Sequence, residues 1–447
     1  MTEQFSQQFA SYVESVDWKQ TSTQELETAK LAILDFLGTA LAGIGEGPNQ
    51  ALWDRISQTS GDEASIIGKP EKTTSWLAAL MNGTLGHCLD YDDTAEFGHA
   101  SVIIVPALLA SAERGGCKGS KLLEGYIAAY EVGFALSSVT KRGDDQHHGM
   151  HSTGIFGPIT SATAAGKVMG LDSDALRRAW GVAVSQSAGV TGNFGTHTKP
   201  LHAGLASQGG VLAAELASSG FTSNPNAFDA PLGFMYSVVA PGYYADIDFN
   251  KSLEVLGKDH ISSTLGFKKY PCGYIAQGAI ETAIKLKEEA GINADNIESV
   301  EVRVPVLEDY FQVDPTGDVA GKFSYKFTVV CALVDGMVTK WTFSDESFGR
   351  KELTPLFQRF SVKKDEDSER LGVLVVRAGG KEYSRPIEPA PGHGRNPMSP
   401  EELQNKFLLN AEPVLDNTRS REIVEWVMNL ETQDSLVPLM NLLSRRK

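Results

Sequence analysis

Apolar residues recur at three- and four-residue spacing through most of the first 255 positions, the period of helices that bury one face. TQELETAKLAILDFLGTALAG is a clear case, bracketed by a threonine cap, a glutamate in the first turn and a closing glycine. SWLAALMNGTLGHCLD, GSKLLEGYIAAYEVGFALSSV, TGIFGPITSATAAGKVMG, DSDALRRAWGVAVSQSAG and LHAGLASQGGVLAAELASSG keep the same period. Their many Ala and Gly positions predict helices in close mutual contact. NPNAFDAPLGF reads as a turn-rich loop.

From about residue 258 the texture changes. IESVEVRVPV alternates like a strand, and RLGVLVVRAGGKEYSRPIE predicts a hairpin around Gly379–Gly380. AQGAIETAIKLKEEAG and the stretch from Phe323 to Val334 read as helices beside them. After PAPGHGRNPMSPEELQNKF the helical period returns to the end. The expected fold is mainly α with an α+β part. A large all-helical domain is discontinuous, formed by residues 1–257 and 398–447, and residues 258–397 form a smaller α+β domain. No internal repeat interrupts this division.

At 447 residues the chain exceeds what one core usually holds, which agrees with two or more domains. The net charge of −16 argues against nucleic acid or an anionic membrane as partner, while a locally basic pocket for a small anion stays open. The apolar run Val102–Ala112 is too short to span a bilayer and contains Pro106. The first residues lack the basic and apolar regions of a signal peptide, so a cytoplasmic location is expected. Cys88, Cys117, Cys272 and Cys331 are scattered without a CxxC pair. Reduced thiols are therefore expected, rather than a zinc or iron–sulfur site.

Four stretches carry candidate chemistry. In LGHCLDYDDTAEFGHAS, His87, Asp90 and Thr94 fall at i, i+3 and i+7, one face if the helix continues. Asp92 and Asp93 then point toward solvent or the cap of the next segment. This stretch reads as a hydrated helix end, a metal set of His87, Asp90 and His99, or an acid–base wall. In DDQHHGMHSTGIFG, His147 and His148 fit a polar surface loop, and His151 leads into a helix N-terminus suited to a carboxylate. In GTHTKPLHAGLA, Lys199 and His202 add cations to the already positive start of a helix, an arrangement that asks for an anion. In GFKKYPCGYIAQGA, Lys268 and Lys269 precede a Tyr-Pro turn at the domain junction. The SxxK match at Ser361–Lys364 lies in a stretch that reads as a strand, without partner motifs. No GxSxG or P-loop is present.

In order and spacing, NGTLGHCLDYDDT, HSTGIFG, GTHTKPLHAG, FKKYPCG and GRNPMSPEELQNKF resemble the MmgE/PrpD family. That family includes 2-methylcitrate dehydratase, cis-aconitate decarboxylase and iminodisuccinate epimerase. The resemblance implies a helical domain plus α+β lid, a homodimer, and a pocket between the domains for di- or tricarboxylates. It also implies chemistry with no metal or organic cofactor. His99 and His151 match proton-transfer groups, and Asp90 matches an acid that orients a histidine. Lys199 and Lys268 match lysines that hold carboxylates and stabilise enediolate-like charge. Thr94, His202 and Tyr270 complete the expected substrate-binding set. Gln277 and Phe327 depart from the family, standing where histidine and tyrosine are common, and the Thr94–His99 interval is one residue shorter than in the decarboxylases. The expected activity is a cofactor-independent lyase on a small polycarboxylate, most simply a dehydratase of the 2-methylcitrate type. Decarboxylation, epimerisation and a non-catalytic carboxylate-binding role are the alternatives.

Overall fold

Two apolar cores organise the computed structural model, which describes residues 4–140, 149–239, 247–307, 311, 314–366 and 371–444. The first is built by α1 (Gln4–Ser15), α2 (Thr23–Ala42), α3 (Gly47–Ile56), α4 (Ser75–His87), α5 (Ala100–Gly115), α6 (Gly119–Ser137), α7 (Ser152–Met169), α8 (Ser173–Ala183) and α9 (Thr198–Ser218). It is completed by helices Pro400–Ala411, Asn417–Met428 and Val437–Leu443. α2 is apolar nearly all round and runs through the middle, with Pro400–Ala411 packed along it. Its cap is Ser22 rather than a threonine: the Ser22 hydroxyl accepts from Glu25 N at 3.1 Å.

The Ala and Gly positions do bring helices together. α9 packs against both α4 and α7. A Cβ on Gly83 would stand 3.0 Å from Gly204 Cα, and one on Gly210 would overlap Ser161 of α7. Pro106 inside α5 leaves the Val102 carbonyl without its helical N–H. Ser207 of α9 donates to that carbonyl at 3.3 Å and to Ile103 O at 3.0 Å, and Ser161 donates to Ile103 O at 2.7 Å. The helices whose N-terminal ends carry His99, His151 and Lys199 are thus locked to one another. Gly210→Leu is expected to destabilise the protein by roughly 1–3 kcal/mol through overpacking, seen as a lowered midpoint in calorimetry; an unchanged midpoint would mean that the α7–α9 contact is slack.

An antiparallel ribbon, β1 (Ala64–Ser65) with β2 (Lys72–Thr73), sits in the helical part and corrects the expectation that it is wholly helical. Its two-residue strands are too short to show alternation.

The second core spans Tyr270 to Ile387. Its sheet has the order β4 (Phe360–Lys364), β3 (Ile297–Val304), β5 (Val373–Ala378), β6 (Lys381–Pro386). β3 runs parallel to β4 and antiparallel to β5. Val300, Val302 and Val304 face inward, as the alternation predicts. Gly379 and Gly380, with φ of 58° and 75°, make the β5–β6 turn. Helices Gln277–Ala290 and Tyr325–Asp335 pack together and cover this sheet. Side chains change core between Phe267 and Tyr270, later than the sequence texture suggests, because the short Ile261–Thr264 helix still belongs to the first. Among the described residues no single helix is long and apolar enough to cross a membrane.

Candidate active site

α4 stops at His87, and the backbone then turns through Asp90, which holds a left-handed φ of 51°. Aspartate tolerates that conformation better than most residues. The turn overturns the expected single helix face. Asp92 and Asp93, expected toward solvent or a cap, are both buried. Asp93 does cap: its Oδ1 accepts from Ser101 N at 3.0 Å in the first turn of α5. Burial pushes the Asp93 carboxyl up to about 7. Lys406 braces the turn by donating to Tyr91 O at 2.8 Å while pairing with buried Asp35 at 2.8 Å.

Asp90 lies between two ammonium groups. Lys199, at the start of α9, pairs with its Oδ1. Lys268 reaches its Oδ2 at 2.8 Å and its carbonyl at 2.9 Å. Burial would raise the Asp90 pKa, but Lys199 and Lys268 hold it well below the usual carboxylate range. Lys199 itself is lowered by burial in spite of Asp90, and its ammonium stands 5.6 Å from the Phe194 ring and 5.4 Å from that of Phe323.

Three imidazoles converge on this group. Asp92 is held between two of them, with Oδ1 2.9 Å from His87 Nδ1 and Oδ2 2.8 Å from His99 Nδ1. His99 Nδ1 is also 2.9 Å from the Asp93 carbonyl. Its neighbours at Nδ1 are acceptors, so the pairing places the His99 proton there. A bare Nε2 then faces Lys199 Nζ at 3.4 Å. Burial, then Lys199, lowers the His99 pKa, and the ring is neutral at neutral pH. Burial pulls His87 down to about 3, and its Nε2 has no hydrogen-bond partner among the described residues. His151 stands at the N-cap of α7, its ring centroid 6.2 Å from that of His99. Its Nδ1 lies 3.0 Å from His202 Nδ1, and burial, then Lys199, hold it well below the usual histidine range.

The expected residues thus mostly assemble. Asp90, His151, Lys199 and Lys268, all buried, and the half-buried His99 form one cluster across the two cores. Thr94 joins through its backbone, bridging Gly266 in both directions at 2.8 Å. His202 stands behind His151. The Tyr270 hydroxyl donates to Glu281 at 2.5 Å inside the second core, so its proton is engaged away from the histidines. The two departures from the family lie in different settings. The Gln277 carbonyl accepts from Lys269 N and Tyr270 N at 3.1 and 3.0 Å and pins the turn behind Lys268. Phe327 packs among Phe343, Phe348 and Phe357 in the second core, apart from the histidines. His147 and His148 lie outside the described residues. Sequence reasoning passed over Asp92 as a histidine partner, and Lys322. Lys322 is buried against Phe343 at 4.5 Å with no carboxylate in ion-pair range among the described residues. Only its distance from the motifs hides it.

Donor atoms of His87, His99 and His151, and of His87, Asp90, Asp92 and His99, lie within 4.8 Å of one another, a set that could hold a borderline metal ion. Two ammonium groups already occupy Asp90 in the second set, and in the first Lys199 Nζ stands 3.4 Å from His99 Nε2, so in either place an ion would compete with a buried ammonium group. Turnover is accordingly expected to survive dialysis against EDTA; loss of activity restored by zinc or magnesium would show that the histidines serve an ion instead. A cleft of about 450 Å³, lined by Gly195–Thr198, Thr316, Gly317, Val319 and Ala320, opens between the two parts beside the start of α9.

Residues 7–245 match the MmgE/PrpD N-terminal domain, and residues 270–432 match the MmgE/PrpD C-terminal domain. Cis-aconitate decarboxylase of Mus musculus is 25% identical over 468 residues, covering 99% of this chain and 94% of that protein. Cis-aconitate decarboxylase of Aspergillus terreus is 25% identical, covering 94% of this chain and 91% of that protein. The mitochondrial 2-methylcitrate dehydratase of Yarrowia lipolytica is 23% identical, covering 81% of this chain and 73% of that protein. Matched through both cores and nearly end to end, this chain belongs to the MmgE/PrpD family.

Proposed function

We propose that the protein is a cofactor-independent lyase that makes or quenches a carbanion-like centre beside a carboxylate of a small di- or tricarboxylic acid. The observation that carries this reading is the bare His99 Nε2 next to Lys199, with Lys199 and Lys268 converging on one buried position. A substrate carboxylate entering there competes with Asp90 for the ammonium groups. His99, oriented by Asp92, takes the proton α to that carboxylate. The lysines stabilise the enediolate-like charge in a site with little water to screen it. His151 stands within the same group to protonate a leaving hydroxyl or the carbanion.

Dehydration of a 2-methylcitrate-like acid is the finer reading drawn from the motifs. Decarboxylation of a cis-aconitate-like acid is favoured by the relatives named for it, which align with more of the chain. Incubation with citrate, 2-methylcitrate and cis-aconitate, followed by NMR, separates the two. Loss of water supports the first, and release of CO₂ the second. An inert panel removes the lyase. A homodimer is proposed on the family's habit, and a stable monomer by sedimentation at micromolar concentration would overturn it.

A further inference from the structure

His202 is assigned no role by the proton chemistry above, yet it makes a specific contact. Its Nδ1 is 3.0 Å from His151 Nδ1, a distance that requires one N–H donor and one bare acceptor. The tautomers of the two rings are therefore coupled: both Nδ1 atoms cannot be protonated together. The backbone is shaped around the pair. The Gly189 carbonyl accepts from His151 N at 3.0 Å, and a Cβ on Gly189 (φ 116°) would press on the His202 ring at 3.1 Å. Nε2 of His202 has no protein partner among the described residues.

We propose that His202 is a positioning residue that acts through His151, as the outer half of a two-histidine proton relay between solvent and the substrate. In the delivering direction His151 starts with its proton on Nε2 and its Nδ1 accepting from His202 Nδ1–H. The His151 Nε2–H bond breaks as the proton passes to the substrate's carbanion or leaving oxygen. The His202 Nδ1–H proton moves to His151 Nδ1, and a solvent proton binds His202 Nε2. Both rings end neutral with their tautomers inverted, and the reverse sequence carries a substrate proton outward. The groups facing His151 are Lys199, His87, His99 and His202, and Lys199 also acts on His202. All are cationic or neutral and disfavour a lasting imidazolium, so a proton that arrives is passed on. Lys199, one turn earlier on α9, holds the substrate that the relay would serve.

This inference rests on the proposed acid–base role of His151, and the test separates the two. With citrate, 2-methylcitrate and cis-aconitate as probes, His202→Ala is expected to lower kcat by about tenfold or more with little change in KM, a smaller loss than the roughly 10²–10⁴-fold of a directly acting acid–base group. Its pH profile should move, and added imidazole should restore part of the rate. His202→Gln, which keeps a hydrogen bond but cannot relay, should stay slow. If His151→Gln is inactive while both His202 variants keep wild-type kcat and pH profile, the relay is overturned and the lyase reading stands. Nitrogen-15 NMR of the histidines gives an answer independent of turnover: one protonated and one bare Nδ1 is expected, and two bare Nδ1 atoms would exclude the relay.

Discussion

His99→Gln is expected to lower kcat by roughly 10²–10⁴-fold, the contribution of a positioned acid–base group, with the fold intact. Glutamine is close in size and can still bond to the Asp93 carbonyl, so Asp92 and the start of α5 keep a polar neighbour. What it lacks is the basic nitrogen that faces Lys199. The pH dependence follows from the direction of the shift. Burial and Lys199 lower the His99 pKa beneath its ordinary value of about 6.5, so the neutral, proton-accepting form prevails at neutral pH. kcat/KM governed by this base should rise through the acidic range and be flat by pH 7. Steady-state kinetics from pH 5 to 8 check both statements. A full rate in His99→Gln, or a base titrating above 7, would exclude His99 as the base.

Asp90→Asn is expected to be the most destabilising change of similar shape, by roughly 3–5 kcal/mol, because it leaves two buried ammonium groups without their counter-charge. The backbone is not the cause, since asparagine also tolerates the left-handed conformation at this position. Adding Lys199→Met should recover part of the loss, a coupling that a double-mutant cycle reads directly. The Asp90 pKa is lower folded than unfolded, so its stabilisation is complete above the unfolded value of about 4 and fades as pH falls. The gap between wild type and Asp90→Asn should therefore narrow in acid. Calorimetry at pH 7 and at about pH 2.5, below the unfolded value, measures it, and equal midpoints at pH 7 would mean that water, not Asp90, balances the lysines.

Period and composition made much of the fold legible. The helical spacing of α4 and of α6 to α9, and the Val300–Val304 alternation, are local signals that tertiary contacts reinforce. The β1–β2 ribbon was not legible because strands of two residues have no period. In the site, Lys199 and His202 at a helix start pointed to an anion; Lys199 meets the Asp90 carboxylate, 109 positions away, while His202 meets another imidazole. No spacing rule reaches that far. Asp92 was misplaced because helical periodicity was carried past His87, where a left-handed aspartate ends it. The partner of Tyr270, Glu281, was not legible because it lies on the following helix, turned back onto it by the Tyr-Pro turn that Gln277 pins. Lys322 sits in no motif and becomes visible only once the two cores meet.

The central claim is metal-free proton transfer through His99 and His151 next to a carboxylate held by Lys199 and Lys268. Reaction in D₂O with EDTA present, using citrate, 2-methylcitrate and cis-aconitate, tests it most directly. Mass spectrometry and NMR would compare wild type with His99→Gln and His151→Gln. The predicted result is deuterium at the carbon α or β to a carboxylate in the wild type, reduced by about 10²–10⁴-fold in rate in each variant. Turnover and exchange that neither variant slows, or no turnover and no exchange with any of the acids, would contradict it.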